Sequence, residues 1–148
     1  MTSGDEAAAR REIDRLTASF FALFCNRGGV RPELERMFEL FVPGGVIARC
    51  SGNDPEVFTL RDFIVPRQEW LSNGTLLEFA EEETSAQTQI FGHLAQRTSV
   101  YQKSGSRDGV AFSSRGIKSF QFAATTGGWR IVSMMWDDER DGFSLEGP

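Results

Sequence analysis

The sequence predicts an α+β domain, with helices segregated to one face of a curved antiparallel sheet. Three observations carry that expectation. In the first part of the chain, apolar residues recur at spacings of three and four: Ile13, Leu16, Phe20, Leu23 and Phe24 make one helical stripe. From Leu76 onward the chain is strand-like, broken only by turn-type residues such as Gly92-His93 and Ser104–Gly109. Near the end, Gly127-Gly128 separates two strand-like runs, and a Gly-Gly pair accepts the positive φ angles of a tight hairpin turn. Helices followed by a run of strands is the α+β order.

The elements follow in chain order. Residues 6–26 form an amphipathic helix ended by Asn26-Arg27-Gly28-Gly29, glycine supplying the left-handed conformation common after a helix. Pro32 opens a shorter helix to about Phe41, because the missing N–H of a proline is harmless in a first turn. Leu34, Met37, Phe38 and Phe41 are its buried side, and Pro43-Gly44-Gly45 stops it. Val46–Ser51 and Val57–Leu60 are short strands around the loop from Gly52 to Pro55. Thr59 caps a third helix, with Asp62 at the positive end of its dipole. Pro66 kinks or restarts that helix, and Asn73-Gly74 closes it. Four long strands follow: Leu76–Phe91, Leu94–Lys103, Val110–Thr125 and Trp129–Asp138. Gly92-His93 suits a type II′ turn, with glycine first. The tail after Asp141 is expected to fray.

Length and composition set the class. The 148 residues suffice for one domain, 1–148, with a sizeable core. Thirteen Phe and a hydrophobic fraction of 40% fit a folded globule. The net charge of −5 argues against non-specific nucleic-acid binding, which rests on cations that neutralise phosphates. No apolar run approaches the ~18 residues of a membrane span, and the start lacks the apolar centre of a leader. A cytoplasmic protein is the expectation, with Cys25 and Cys50 as buried, reduced thiols. No base that would activate either cysteine is evident.

Several segments point the same way. They are the Phe-rich first helix, the kinked Phe63-Ile64-Val65-Pro66-Arg67, Leu76-Leu77-Glu78-Phe79 with Glu81 and Glu83, the run from Phe91 to Tyr101, and Gly128-Trp129-Arg130-Ile131-Val132. Together they resemble the nuclear transport factor 2-like superfamily, in particular its uncharacterised bacterial branch, across about residues 10–139, leaving 140–148 as a tail. The resemblance implies a cone-shaped barrel, a curved antiparallel sheet wrapped around three N-terminal helices with a pocket at the wide end. It also implies a homodimer through the outer sheet face. Relatives include ketosteroid isomerase, scytalone dehydratase and polyketide cyclases alongside non-enzymatic transport and association domains, so fold alone does not select a function.

Strand arithmetic nominates the site. A two-residue turn at Gly127-Gly128 pairs Thr126 with Trp129, Phe122 with Ser133, Phe120 with Met135 and Lys118 with Asp137. Alternation then puts Lys118, Phe120, Phe122, Ile131, Ser133, Met135 and Asp137 on one face, with Ser119, Gln121, Val132, Met134 and Trp136 on the other. A turn at Gly92-His93 pairs Thr88 with Arg97 and Thr84 with Tyr101. Placing Tyr101 opposite Phe112 brings Arg97, Ser99, Tyr101, Phe112 and Ser114 to the inner face. One bulge would invert part of this scheme.

The candidate catalytic residues are Asp137, as a base beside a substrate carbonyl, and Tyr101, as donor to the developing oxyanion. Arg97, Ser114, Lys118 and Trp70 are candidate ligand contacts. Each has a plainer alternative: Lys118–Asp137 as a cross-strand ion pair, Arg97 paired to Glu81 or Glu83, Trp70 as core. His93 falls at a hairpin tip in solvent. Consecutive Glu81, Glu82 and Glu83 cannot converge on one ion, and no zinc spacing exists. No metal or cofactor is expected. Two functions follow. One is a pocket for a small apolar ligand bearing a carbonyl or carboxylate, serving a cofactor-free isomerase, dehydratase or cyclase-like enzyme. The other is a non-enzymatic dimerisation or interaction domain with a self-filled pocket. No nucleic-acid or membrane partner is expected.

Overall fold

In the computed structural model, which describes residues 3–146, three α-helices and two 3₁₀ turns precede and flank a curved six-stranded sheet. Helix α1 (Ser3–Ala22) buries the expected stripe of Ile13, Leu16 and Phe20, and carries Asp5 and Glu6 in its first turn, where the helix dipole favours negative charge. The second helix is shorter than its periodicity suggests. A 3₁₀ turn at Leu34–Arg36 leads into one α-turn, α2 (Met37–Leu40). Phe41 is already extended, so strand β1 (Phe41–Arg49) begins there. Pro43-Gly44-Gly45 does not stop a helix but forms an irregularity inside β1, across which pairing jumps from Phe41 to Val46.

Strand β2 (Glu56–Thr59) leads into helix α3 (Leu60–Ser72). The Thr59 hydroxyl accepts the Asp62 N–H at 3.1 Å, which is the expected cap. Pro66 lies inside α3 without ending it. The remaining strands are β3 (Leu76–Phe91), β4 (Leu94–Arg107), β5 (Val110–Thr125) and β6 (Gly128–Asp138). The sheet order is β2-β1-β6-β5-β4-β3, with β1 parallel to β6 and every other neighbour antiparallel, so the sheet is open with β2 and β3 at its edges. Its concave face meets the helices through an aromatic core in which Phe20 packs edge-on to Phe24 and Phe120, each at 5.3 Å between centroids. Among the described residues no helix is long and apolar enough to cross a membrane.

Buried Asn26 ties the elements together. Its side chain accepts the Phe79 N–H at 2.7 Å and donates to the carbonyls of Leu71 and Leu76, which joins the end of α3 to the start of β3. Within the described residues the tail returns to the sheet: Arg115 pairs with Glu139 and with Glu146 at 2.7 Å, and the Leu145 N–H donates to Glu139. Residues 147 and 148 of the expected tail lie outside the described residues.

Register decides what faces the core. The Gly92-His93 turn pairs Phe91 with Leu94 and Thr88 with Arg97 as expected, although a bulge after Glu83 places Glu83 rather than Thr84 opposite Tyr101. Between β4 and β5 the turn is Asp108-Gly109, both at positive φ (52° and 82°), so Tyr101 pairs with Gly116 instead of Phe112. That slip is of four residues, an even number, and leaves every side chain on its expected face. Between β5 and β6 the outcome is different. The turn residues are Thr126 and Gly127, and a bulge follows between the Phe122–Ile131 and Gln121–Ser133 pairs. Beyond it Lys118 pairs with Trp136 and Ile117 with Asp137. Met134, Trp136 and Asp138 therefore face inward, while Met135 and Asp137 face outward. This reverses the expected placement of the second half of β6, Ser133 to Asp138, and it takes Met134 and Trp136 out of the expected dimer face.

Candidate functional site

The wide end of the fold holds a cavity of about 670 Å³ between α3, the inner sheet face, Phe20 of α1 and Phe24 just beyond that helix. The chain carries net charge −5, yet this cavity is lined by five cationic side chains, Arg49, Arg67, Lys103, Arg107 and Lys118, against three acidic ones, Glu81, Asp108 and Asp138. Most of the remaining wall is apolar: Phe20, Phe24, Phe63, Trp70, Phe79, Phe112 and Trp136 among others.

Helix α3 supplies one side. Phe63, Arg67 and Trp70 fall at spacings of four and three, which places them on one helical face. The Arg67 guanidinium sits 4.0 Å above the Phe63 ring, and 5.2, 5.4 and 5.8 Å from the rings of Phe58, Trp70 and Trp136. Its one hydrogen bond within the described residues runs from Nη1 to the Phe63 carbonyl at 3.2 Å, and no carboxylate pairs with it there. Burial lowers its pKa to about 10, with Glu56 acting from a distance in the opposite sense. It remains a cation at neutral pH. Arg107 lies 4.9 Å from the Trp70 ring and also lacks a carboxylate partner among the described residues.

The sheet supplies the other side. Lys118 on β5 is 4% exposed, with its ammonium 4.3 Å from the Tyr101 ring and 5.4 Å from that of Trp136. Its Nζ lies 3.1 Å from Glu81 Oε1, an ion pair by distance that lacks the alignment of a hydrogen bond. Burial pushes the amine below the ordinary lysine value, and Glu81 only partly offsets it. Lys103 pairs with Asp138 at 3.0 Å. The Tyr101 hydroxyl donates to the same Asp138 carboxylate, and lies 3.3 Å from the Asp137 carbonyl oxygen. Burial and Asp138 both raise the Tyr101 pKa, so the phenol stays protonated. Burial also pushes Asp138 up, but Lys103, the Tyr101 hydroxyl and Lys118 together hold it below the ordinary carboxylate value. Gly116 makes this arrangement possible, because a Cβ there would overlap the Tyr101 hydroxyl.

The residues nominated from the sequence separate into three groups. Trp70, Ser114 and Lys118 line the cavity. Tyr101 is fully buried behind it and reaches it through Asp138. Arg97 and Asp137 do not reach it. Arg97 donates from Nε and Nη2 to Glu83 at 3.0 and 2.6 Å and from Nη1 to Asp14 and Thr88. Asp137 turns outward to Arg140 because of the β6 bulge. Arg97 and Asp137 thus lie on opposite faces of the sheet and cannot act on one ligand. Sequence reasoning missed Arg67, Glu81, Lys103, Arg107 and Asp138. Only Arg67 left a signal, its spacing from Phe63 and Trp70. Among the described residues no three His, Cys, Asp or Glu side chains group as a metal site.

The sequence matches no family model and no curated protein. The fold has clear counterparts. A nuclear transport factor 2-like superfamily protein from Salmonella enterica superposes with a TM-score of 0.72 at 14% identity, over 97% of this chain and 99% of that one. A protein of the same kind with a cystatin-like fold from Novosphingobium aromaticivorans gives 0.69 at 19% identity, over 97% and 86%. Another protein from that organism, provisionally assigned as an aromatic ring hydroxylase, gives 0.69 at 16%, over 88% and 89%. The chain has the nuclear transport factor 2-like, cystatin-like fold.

Proposed function

We propose that this protein binds a compact, largely apolar molecule carrying a carboxylate, with Arg67 as the anchor. The observation that carries the reading is a half-buried guanidinium in an aromatic cage, at the wall of an open cavity, with no carboxylate of the described chain to neutralise it. Guanidinium matches carboxylate in geometry and charge, and the surrounding rings provide the apolar contacts of a small-molecule site. The cavity volume of about 670 Å³ also counts against a pocket filled by its own side chains.

Binding fits this site better than carboxylate-driven proton transfer. An isomerase, dehydratase or cyclase of that type needs a poised base. Asp138 occupies the place where one would stand, but its cationic neighbours hold it low. The outer sheet face exposes Leu94, Ile117 and Met135, and it is where a homodimer would form. Free Cys25 and Cys50 fit a reducing compartment such as the cytoplasm.

Calorimetric titration with benzoate and with its neutral isostere benzamide tests the reading. Benzoate is expected to bind at least tenfold more tightly, and Arg67→Met is expected to remove the difference. Equal affinities in the unmodified protein would refute it.

A further inference from the structure

We propose that Lys118 is a nucleophilic amine that condenses with a carbonyl group on the bound molecule, which makes the ligand an apolar oxo acid, an aldehyde or ketone bearing a carboxylate. The inference rests on the carboxylate-binding reading above and extends it to the far side of the same cavity. Its first support is the placement of the amines. The chain has fourteen arginines but only two lysines, Lys103 and Lys118, and both line the cavity. Guanidinium stays protonated and is no nucleophile, whereas an amine out of water can lose its proton and attack carbon.

The second support is geometry. Lys118 is enclosed by the Tyr101, Trp136 and Phe21 rings, which keep water from its ammonium. Glu81 Oε1 lies 3.1 Å away and is shielded from solvent, within reach of a proton leaving the ammonium. Arg67 and Lys118 both approach the Trp136 ring, at 5.8 and 5.4 Å from its centroid. One small molecule along that ring can therefore meet both. The depressed pKa of the amine agrees with this arrangement.

The step balances without a co-reactant. Lys118 passes one proton to Glu81, and the free amine nitrogen adds to the carbonyl carbon while the C=O π bond breaks. Glu81 returns that proton to the oxygen and relays a second one from nitrogen. The C–O bond then breaks, water leaves, and a C=N iminium remains with one proton on nitrogen. The positive charge that began on the ammonium ends on the iminium, beside the Glu81 carboxylate.

The test is reductive trapping. The full chain is incubated with 4-carboxybenzaldehyde and cyanoborohydride, and the adduct is located by intact mass and peptide mapping. A single adduct on Lys118 is expected, formed at least tenfold faster than with benzaldehyde, slowed by excess benzoate and absent in Lys118→Arg. Mapping is done on the unmodified protein, so the result does not depend on a variant folding. Absence of an adduct at Lys118 while benzoate still binds would overturn this proposal and leave the carboxylate reading standing. Labelling spread evenly over Lys118, Lys103 and the terminal amine would also overturn it. Selective Lys118 labelling that is equally fast with benzaldehyde would uphold the amine and refute the Arg67 anchor.

Discussion

Two arginines on the concave side of this fold have opposite fates. Arg97, on β4, is saturated: Glu83 takes two of its N–H groups, Asp14 of α1 and Thr88 take another, and Ser99 donates to the same Glu83 carboxylate. Burial alone would lower its pKa, but Glu83 and Asp14 outweigh it and raise the value. Arg67, on α3, is packed among rings and left without a counter-ion among the described residues, and burial wins. The same side chain is a structural bolt where the fold supplies its anions and, in the function proposed above, a binding group where it does not. The comparison teaches that cation burial is uninformative until its partners are counted.

The largest effect is expected from breaking the bolt. Arg97→Met leaves the Glu83 carboxylate, 21% exposed, without its bidentate partner, and about 3 kcal/mol of stability should be lost. Denaturant unfolding measures this, and benzoate affinity of the folded fraction should be unchanged. Gly116→Ala should cost about 2 kcal/mol, because its methyl displaces Tyr101 from Asp138; a loss under half that would show the strand can shift aside. Arg67→Met sharpens the contrast: stability should change by no more than about 1 kcal/mol, while affinity for benzoate falls at least tenfold.

The smallest effect is acid-dependent. Asp138 binds its proton more weakly in the folded protein than at the ordinary 3.8 of the unfolded chain. Its stabilisation is therefore full above that pH and is lost as pH falls through the lower folded value. Asp138→Asn should be less stable than the unmodified protein by about 1 kcal/mol at pH 6, and the gap in melting temperature should close on acidification below pH 3.8. A gap that widened in acid would reverse the sign of the argument.

Much of the fold is legible in the residues because its signals are local. Thr59 caps α3 through its own hydroxyl, and Gly92 sits at the positive φ that its hairpin turn requires. The Asp108-Gly109 turn is the tight end of the polar stretch Ser104–Gly109, and the four-residue slip it produces is even, so the faces are kept. The β6 bulge had no such signature. It lies at Val132 and Ser133, neither of which demands an unusual backbone, and it exchanged Asp137 for Asp138 at the cavity. Ser114 and Lys118 lie on β5, where the faces are unaffected, and they reach the cavity. Arg67 was hidden for another reason. Its flanking Phe63 and Trp70 read as a core stripe, and only the fold shows that no carboxylate comes to meet the arginine between them.

In the proposed function, Arg67 pairs with the carboxylate of the ligand. A crystal structure of the protein with 2-naphthoate tests it most directly. The account predicts the naphthalene ring among Phe63, Trp70 and Trp136, with its carboxylate within hydrogen-bonding distance of the Arg67 guanidinium. A ring bound in the same cavity with its carboxylate turned to solvent, and Arg67 untouched, would contradict it.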